Sequence, residues 1–282
     1  KSGDLSLETS ELYPDNSVMT GKILCLQCNQ SYPISFGVPI FVETEQLNTV
    51  FDRTSDHYGT GWVDGNEKKN YSLDESWHFD ELVHLFDFPK GKDGYGLEGG
   101  SGNGKDTVRL SLNNPDSEII TIDISDGAFV ASERCRELKL TNVNVIKASL
   151  HQIPLKDEII DFSYSFGVLH HMPNPQEGAN EISRVMKPGS LFITYLYSDL
   201  AERPFLKFLL KPVTLVRKVT LKLNLNLLKA FCYLLMPFVF LLLTLPARLL
   251  KLIGIKQLAK KIPYHHNQSF LSLFGELYDR FG

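Results

Sequence analysis

The chain has 282 residues, 43% of them hydrophobic and 22% charged, which excludes wholesale disorder and allows one large domain or a domain with appendages. A formal net charge of −4 argues against nucleic acid as a partner. Four cysteines at this length do not make a secreted disulfide framework, so a reducing, cytoplasmic setting is expected.

Residues 1–42 open with the polar "KSGDLSLETS", which carries no signal-peptide pattern. They continue as "GKILCLQCNQSYPISFGVPIFV", whose spacing predicts short strands around turns and includes Cys25 and Cys28. Residues 43–93 are polar and aromatic, with Tyr58, Trp62, Tyr71 and Trp77, and are expected to form a helical lead-in to the main domain. The main domain is placed at 94–200. There "YGLEG" predicts a strand, "KDTVRLSL" a helix, "EIITIDI" a buried strand and "DGAFVASERCREL" a helix. "VNVIKA" and "IIDFSYSFG" follow as strands, "PQEGANEISRVM" as a helix and "SLFITYLYS" as a strand. This alternation predicts an α/β fold, a parallel sheet with helices on both faces. Ligands of such sheets bind at the carboxyl ends of the strands, where the first strand here runs into a glycine loop.

Residues 201–282 change character. Between Arg203 and Lys261 stand twelve Lys/Arg and no Asp/Glu, on a chain that is acidic elsewhere. "AFCYLLMPFVFLLLTLPA", Ala230 to Ala247, is eighteen residues without charge, barely enough to span a bilayer, and Pro237 and Pro246 are expected to break it into pieces. The flanking "FLKFLLKPVTLVRKVTLKL" and "ARLLKLIGIKQLAKKI" set Leu against Lys/Arg, the pattern of helices lying in a membrane interface. The expectation is a membrane-associated helical lid, peripheral at the inner face of the membrane; a soluble lid and a true span are the alternatives.

The loop Glu98–Asp106, "EGGSGNGKD", admits three ligands. As a phosphate-binding loop it has Gly99, Gly104 and Lys105, but Asp106 stands where a hydroxyl should bind Mg²⁺. As a dinucleotide turn it has Gly100 and Gly102, but Lys105 where close packing wants a small residue. The third pattern is Gly100-Ser101-Gly102-Asn103-Gly104, with Glu98 two residues before it and Asp123 closing the next strand. Downstream come "ASLHQIPLKDEIIDFSYSFGVLHHM" and "EISRVMKPGSLFI".

These four motifs, in this order, resemble the class I S-adenosylmethionine-dependent methyltransferases, particularly the broad type 11 group. The resemblance implies a Rossmann-like methyltransferase fold and S-adenosylmethionine as cofactor. It assigns cofactor binding to Glu98, Gly100, Ser101, Gly102 and Gly104, to Asp123 and Ile124, to Ser149 and Leu150, and to Ser165 and Phe166. Glu98 replaces the family's usual Asp, Ser101 a common Cys, and Ser149 an acid found in many relatives. His170, after the strand "FSYSFGVL", is the expected base for a hydroxyl acceptor, since histidine titrates near neutrality; His171 is expected to pack structurally. The expected acceptor is an oxygen, less favourably a carbon, of a hydrophobic or lipid-linked small molecule. The rival readings are an NAD(P)-dependent oxidoreductase and a degenerate methyltransferase fold acting as a membrane-associated binding protein.

"CLQCNQSYPISFGVPIFV" resembles the second half of a small zinc ribbon attached to methyltransferases, in which "KSGDL" follows a first C-x-x-C. Cys25 and Cys28 are then half of a Zn site whose other two cysteines would lie upstream. Class I relatives have two further strands after the fifth. Residues 262–282 do not supply them, so the fold is expected to stop short at the C-terminus.

Overall fold

The first strands pair because polar turns reverse the chain: Asn16 and Asn29 adopt φ of 65° and 56°, a conformation Asn tolerates better than most residues. They close β1 (Leu5–Leu12) on β2 (Val18–Cys25) and β2 on β3 (Ser31–Ser35), and β4 (Val38–Pro39) completes an antiparallel sheet in sequential order. The computed structural model describes residues 4–42, 93–196, 211–264 and 270–281, divided between the units Lys1–Tyr197 and Ser198–Gly282. The expected helical lead-in at 43–93 lies almost wholly outside the described residues.

In the first unit, "SEIITID" and "IDFSYSF" are buried along nearly their whole length, as central parallel strands must be when both faces are covered. They are β6 (Ser117–Asp123) and β8 (Ile160–Phe166), on either side of β5 (Gly94–Gly99). β7 (Val143–Lys147) and β9 (Met186–Tyr195) form the edges, in the order β7-β6-β5-β8-β9, all parallel. The helices are α1 (Lys105–Asn113), α2 (Gly127–Glu137) and α3 (Pro175–Val185), the last begun by a proline in its first turn. Alternation divides the core. Leu97, Ile120 and Ile122 join Ile182 and Val185 on one side of the sheet. Ile119, Phe162 and Tyr164 meet Leu110 and Ile193 on the other. This is the Rossmann-like parallel-sheet arrangement.

The last strand starts earlier than the residue pattern suggests. Met186 already pairs with Ile160, and Lys187 reaches Asp161 at 2.7 Å. Gly189, at φ 80°, lets the intervening residues bulge before Leu191 meets Phe162. Among the described residues no strand follows β9.

The N-terminal sheet docks on the edge of the core. Val38 is fully buried among Ala128, Ala131 and Val145, and Ile40 bridges Lys147 in parallel fashion. Phe36 meets the ring of Phe129 edge-on, and the Arg136 guanidinium lies 3.9 Å over Tyr13.

The second unit is helical: α4 (Lys211–Thr220), α5 (Leu225–Val239), a π-turn at Phe240–Thr244, α6 (Leu245–Leu252), the short α7 (Lys256–Ala259) and α8 (Phe270–Phe281). The Asn224 side chain caps α5 by accepting from Leu227 N–H at 2.9 Å. Leu228, Cys232 and Met236 of α5 pack on Leu273, Leu277 and Phe281 of α8. The two prolines do not break the apolar run. Pro246 sits in the first turn of α6, and Pro237 is followed by the widened π-turn, so helix continues from Asn226 to Leu252. That helix is 27 residues long and its most apolar 18-residue stretch has a mean hydropathy of 2.1, long and apolar enough to cross a membrane.

Two glycines test the backbone. Gly189 and Gly104 share a φ of 80°, but a Cβ on Gly189 would meet nothing within 4 Å, whereas one on Gly104 would sit 2.7 Å from the Ala131 Cα. Urea denaturation is expected to show Gly189→Ala losing roughly 1 kcal/mol, from backbone conformation alone. Gly104→Ala should lose about 3 kcal/mol or more, conformation and clash together.

Candidate functional site

Because β5, β6, β7 and β8 are parallel, the segments that follow them emerge at one end of the sheet. These are the glycine loop, Asp123–Ser125, Ala148–His151 and Gly167–His171. The loop turns back sharply: Gly100, Gly102 and Gly104 have φ of 90°, 50° and 80°. Gly100 N–H donates to the Ile122 carbonyl at 2.7 Å, and a Cβ at Gly100 would lie 2.2 Å from Val168.

Beneath the loop, Glu98 is 1% exposed. Its Oε2 accepts from the Thr107 hydroxyl of α1 at 2.5 Å and the Thr121 hydroxyl of β6 at 2.6 Å. Burial, reinforced by the negative charge of Asp106, pushes this acid up to about 8, against the pull of the two hydroxyls. Three buried polar atoms at the loop have no hydrogen-bond partner among the described residues: Glu98 Oε1, Ser101 Oγ and Asn103 Nδ2. Unmade hydrogen bonds on buried groups are costly, so an acceptor, a hydroxyl and an amide donor around one loop suit a zwitterionic ligand. The amino-acid end of S-adenosylmethionine has that chemistry.

Asp123 is engaged at both oxygens. Oδ2 accepts from Gly102 N–H at 2.7 Å; Oδ1 accepts from Ser125 N–H at 2.8 Å and from its hydroxyl at 2.6 Å. Burial holds this acid above its ordinary value despite those hydrogen bonds. A carboxylate oxygen has a second lone pair, so the group retains acceptor capacity for ribose hydroxyls.

A narrow cleft of about 70 Å³ brings together Gly100, Asp123, Ile124, Ser149 and Leu150 from the expected set. The residue pattern did not point to Val168, Met172 and His151, which also line it. Ser149 Oγ accepts from His151 N–H at 3.2 Å. Glu98, Ser101, Gly102 and Gly104 belong to the loop rather than to the cleft lining. Ser165 Oγ donates to the Gly99 carbonyl at 2.9 Å, tying β8 to β5. Phe166 stacks on Tyr195, centroids 4.5 Å apart. His170 lies in the 3₁₀ turn Leu169–His171 directly after β8, its ring tilted against His171 at 4.2 Å and both its nitrogens buried.

The wall made by residues 148–157 is clamped from α3. Arg184 binds Glu181 through two nitrogens at 2.9 Å each, donates to the Ile153 and Leu155 carbonyls, and contacts Asp157. Glu181 in turn accepts from Ile153 N–H at 3.1 Å. A larger hollow of about 450 Å³ lies at the amino ends of β8 and β9, but its Lys187 and Arg184 are already engaged by acids.

Cys25 ends β2 and Cys28 sits on the turn after it. The backbone N–H groups of Cys28 and Gln27, then the Cys28 thiol, hold the Cys25 thiol below its ordinary range. Among the described residues no third His, Cys, Asp or Glu joins them to complete a metal cage.

Glu98 has a definite pH signature. Its folded acidity lies above the ordinary 4.5, so the folded state holds a proton the unfolded chain has released. The associated stability is fully present below about 4.5 and lost as pH rises through about 8. Thermal denaturation is expected to show Glu98→Gln matching the parent at pH 5 and exceeding it above pH 8; an unchanged slope would remove Glu98 as the source. Arg184→Met should loosen residues 148–157, read as faster amide exchange there while β5 and β6 stay protected.

A family model described as a methyltransferase domain matches residues 97–194. An uncharacterized Synechococcus protein is 31% identical over 108 residues, 38% of this chain and 26% of its own length. The demethylmenaquinone methyltransferase of Bacillus cytotoxicus is 25% identical over 152 residues, 53% of this chain and 61% of its own. Among solved structures, the YcgJ protein of Bacillus subtilis is 21% identical, with a TM-score of 0.41 covering 50% of this chain and 58% of that one. The chain thus spans less than two thirds of the length of these relatives. The matched segment begins on the strand that carries Glu98 and ends on the strand that closes the sheet; residues 97–194 are similar to the methyltransferase-domain family.

Proposed function

We propose that this chain transfers a methyl group from S-adenosylmethionine to an oxygen of a hydrophobic or lipid-linked small molecule, with carbon as the second choice of acceptor atom. The observation that carries the cofactor half is the trio of unpartnered buried atoms at Glu98, Ser101 and Asn103 beside the carboxylate of Asp123. Gly100, Gly102 and Gly104 let the backbone approach the amino-acid end, while Asp123, with Ile124, Ser149 and Leu150, would hold the nucleoside end.

When bound, the cofactor supplies an electrophilic methyl on a positively charged sulfur. The protein's work is then alignment and proton removal. His170 would take the proton of the acceptor hydroxyl as that oxygen accepts the methyl group. The acceptor class is supported by the Phe166–Tyr195 stack at the strand ends, where Tyr195 is 43% exposed, and by the relative named for demethylmenaquinone. The degenerate, binding-only reading draws on Ser149, whose hydroxyl is engaged by His151.

Calorimetry with S-adenosylhomocysteine is expected to show binding that Asp123→Ala weakens at least roughly tenfold. Binding of NADH in its place would overturn the cofactor assignment. With labelled cofactor and an extract of apolar metabolites, His170→Ala should lose roughly 10²–10⁴ in turnover and leave S-adenosylhomocysteine affinity unchanged. Cofactor binding without any methylated product would favour the binding-only reading.

A further inference from the structure

The second unit exposes more apolar surface than a water-facing helical unit carries. On the long helix, Leu227, Leu234, Phe238 and Leu241 recur along the side opposite Leu228, Cys232 and Met236, which pack on α8. Exposed Leu242, Leu245, Leu249 and Leu252 prolong the row through and beyond the π-turn. Leu234 is 73% exposed, Leu242 71% and Leu252 82%. A soluble monomer rarely leaves a contiguous patch of this kind in water.

The charges around this patch all have one sign. Arg217, Lys218 and Lys222 are exposed at the end of α4 and just after it, and Lys256, Lys260 and Lys261 are exposed around α7. Exposed Leu215 and Val219 stand among the first group, and Ile253, Ile255 and Leu258 among the second. Apolar side chains interleaved with cations over several helices, with no acid between Arg203 and Lys261, match a surface that is apolar below and anionic above.

We infer that residues 211–264 lie in the plane of an anionic lipid bilayer, the leucine row of Asn226–Leu252 entering the acyl boundary and the flanking lysines holding acidic headgroups. The length of the helix would also permit a crossing, but its packing partner opposes that. α8 carries the exposed Arg280, and because its Leu273, Leu277 and Phe281 pack on α5, a crossing helix would bring that charge toward hydrocarbon. An in-plane helix leaves α8 on the aqueous side. The inference extends the proposed acceptor class by naming the phase that would present the acceptor. It can fail or stand independently of methyl transfer, because vesicle binding is measured without turnover.

The test is sedimentation of the full chain with vesicles of phosphatidylcholine alone or mixed with phosphatidylglycerol. Binding should require the acidic lipid, fall steeply as salt is raised and be reversed by alkaline carbonate. Lys256→Glu with Lys260→Glu and Lys261→Glu should weaken it by roughly fivefold or more per residue changed. Leu242→Asp with Leu252→Asp, at exposed positions that leave helix content unchanged by circular dichroism, should abolish it at any salt. Equal binding to neutral vesicles would overturn the anionic partner, and resistance to carbonate would overturn the in-plane geometry. A chain that keeps its S-adenosylhomocysteine affinity yet ignores vesicles, whether monomeric or self-associated, would overturn the inference entirely.

Discussion

A carboxyl group with almost no access to water sits where three elements of the sheet layer converge. Glu98 is the penultimate residue of the strand that launches the glycine loop, and one of its oxygens is held by hydroxyls from the next helix, Thr107, and the neighbouring strand, Thr121. A buried carboxylate is tolerated only when it is neutralised by a proton or a cation and hydrogen-bonded. The site is therefore a polar island under the loop, poised to pair with positive charge. Tyr164 extends it, donating to Asp106 at 2.8 Å, so the first turn of α1 is tied to β8 through the same island. The left-handed glycines above it are held from below by this network as well as by their own conformations.

The opposite wall of the cleft has a different support. Arg184 and Glu181 do not line the cleft, yet they bond the backbone at Ile153 and Leu155 and so hold the segment that carries Ser149, Leu150 and His151. Charge-assisted, forked hydrogen bonds to fixed carbonyls suit this role, because they restrain direction as well as distance. The second carboxylate, Asp123, joins the two walls: it is bonded to the glycine loop through Gly102 and closes the strand beside Ala148.

The helical unit follows another logic. Its core is one face of α5 against α8, and hydrophobicity is spent on both sides of the long helix rather than on one. The π-turn after Pro237 shows why prolines are poor guides to helix ends in so apolar a run. A missing backbone donor costs little when the following turn widens and the helix resumes with Pro246 in its first turn, where a donor is not needed.

Much of this was legible in the residues. Period-two runs and turn residues are local signals, and they placed the strands, the order of helices between them and the glycine loop at a strand end. Four motifs in order, from Glu98 with the alternating glycines through Asp123 to the two downstream segments, carried the resemblance that implied the cofactor class. Three things were not legible. Val168 and Met172 look like core residues until the fold carries their segment against Gly100 and Asp123. The roles of Thr107 and Thr121 appear only when α1 and β6 close over Glu98, and the clamp by Arg184 only when α3 lies beside residues 153–157. The continuity of the apolar helix depends on how one turn relaxes around Pro237. The sequence by itself determined which elements form, because strand and helix periodicity rest on near-neighbour spacing, and it carried the ordered motifs on which the cofactor resemblance rests. Which groups share a cleft, which acid is shut away from water, and which side of a helix is left bare were decided by the tertiary structure, because each depends on contacts between residues far apart in the chain.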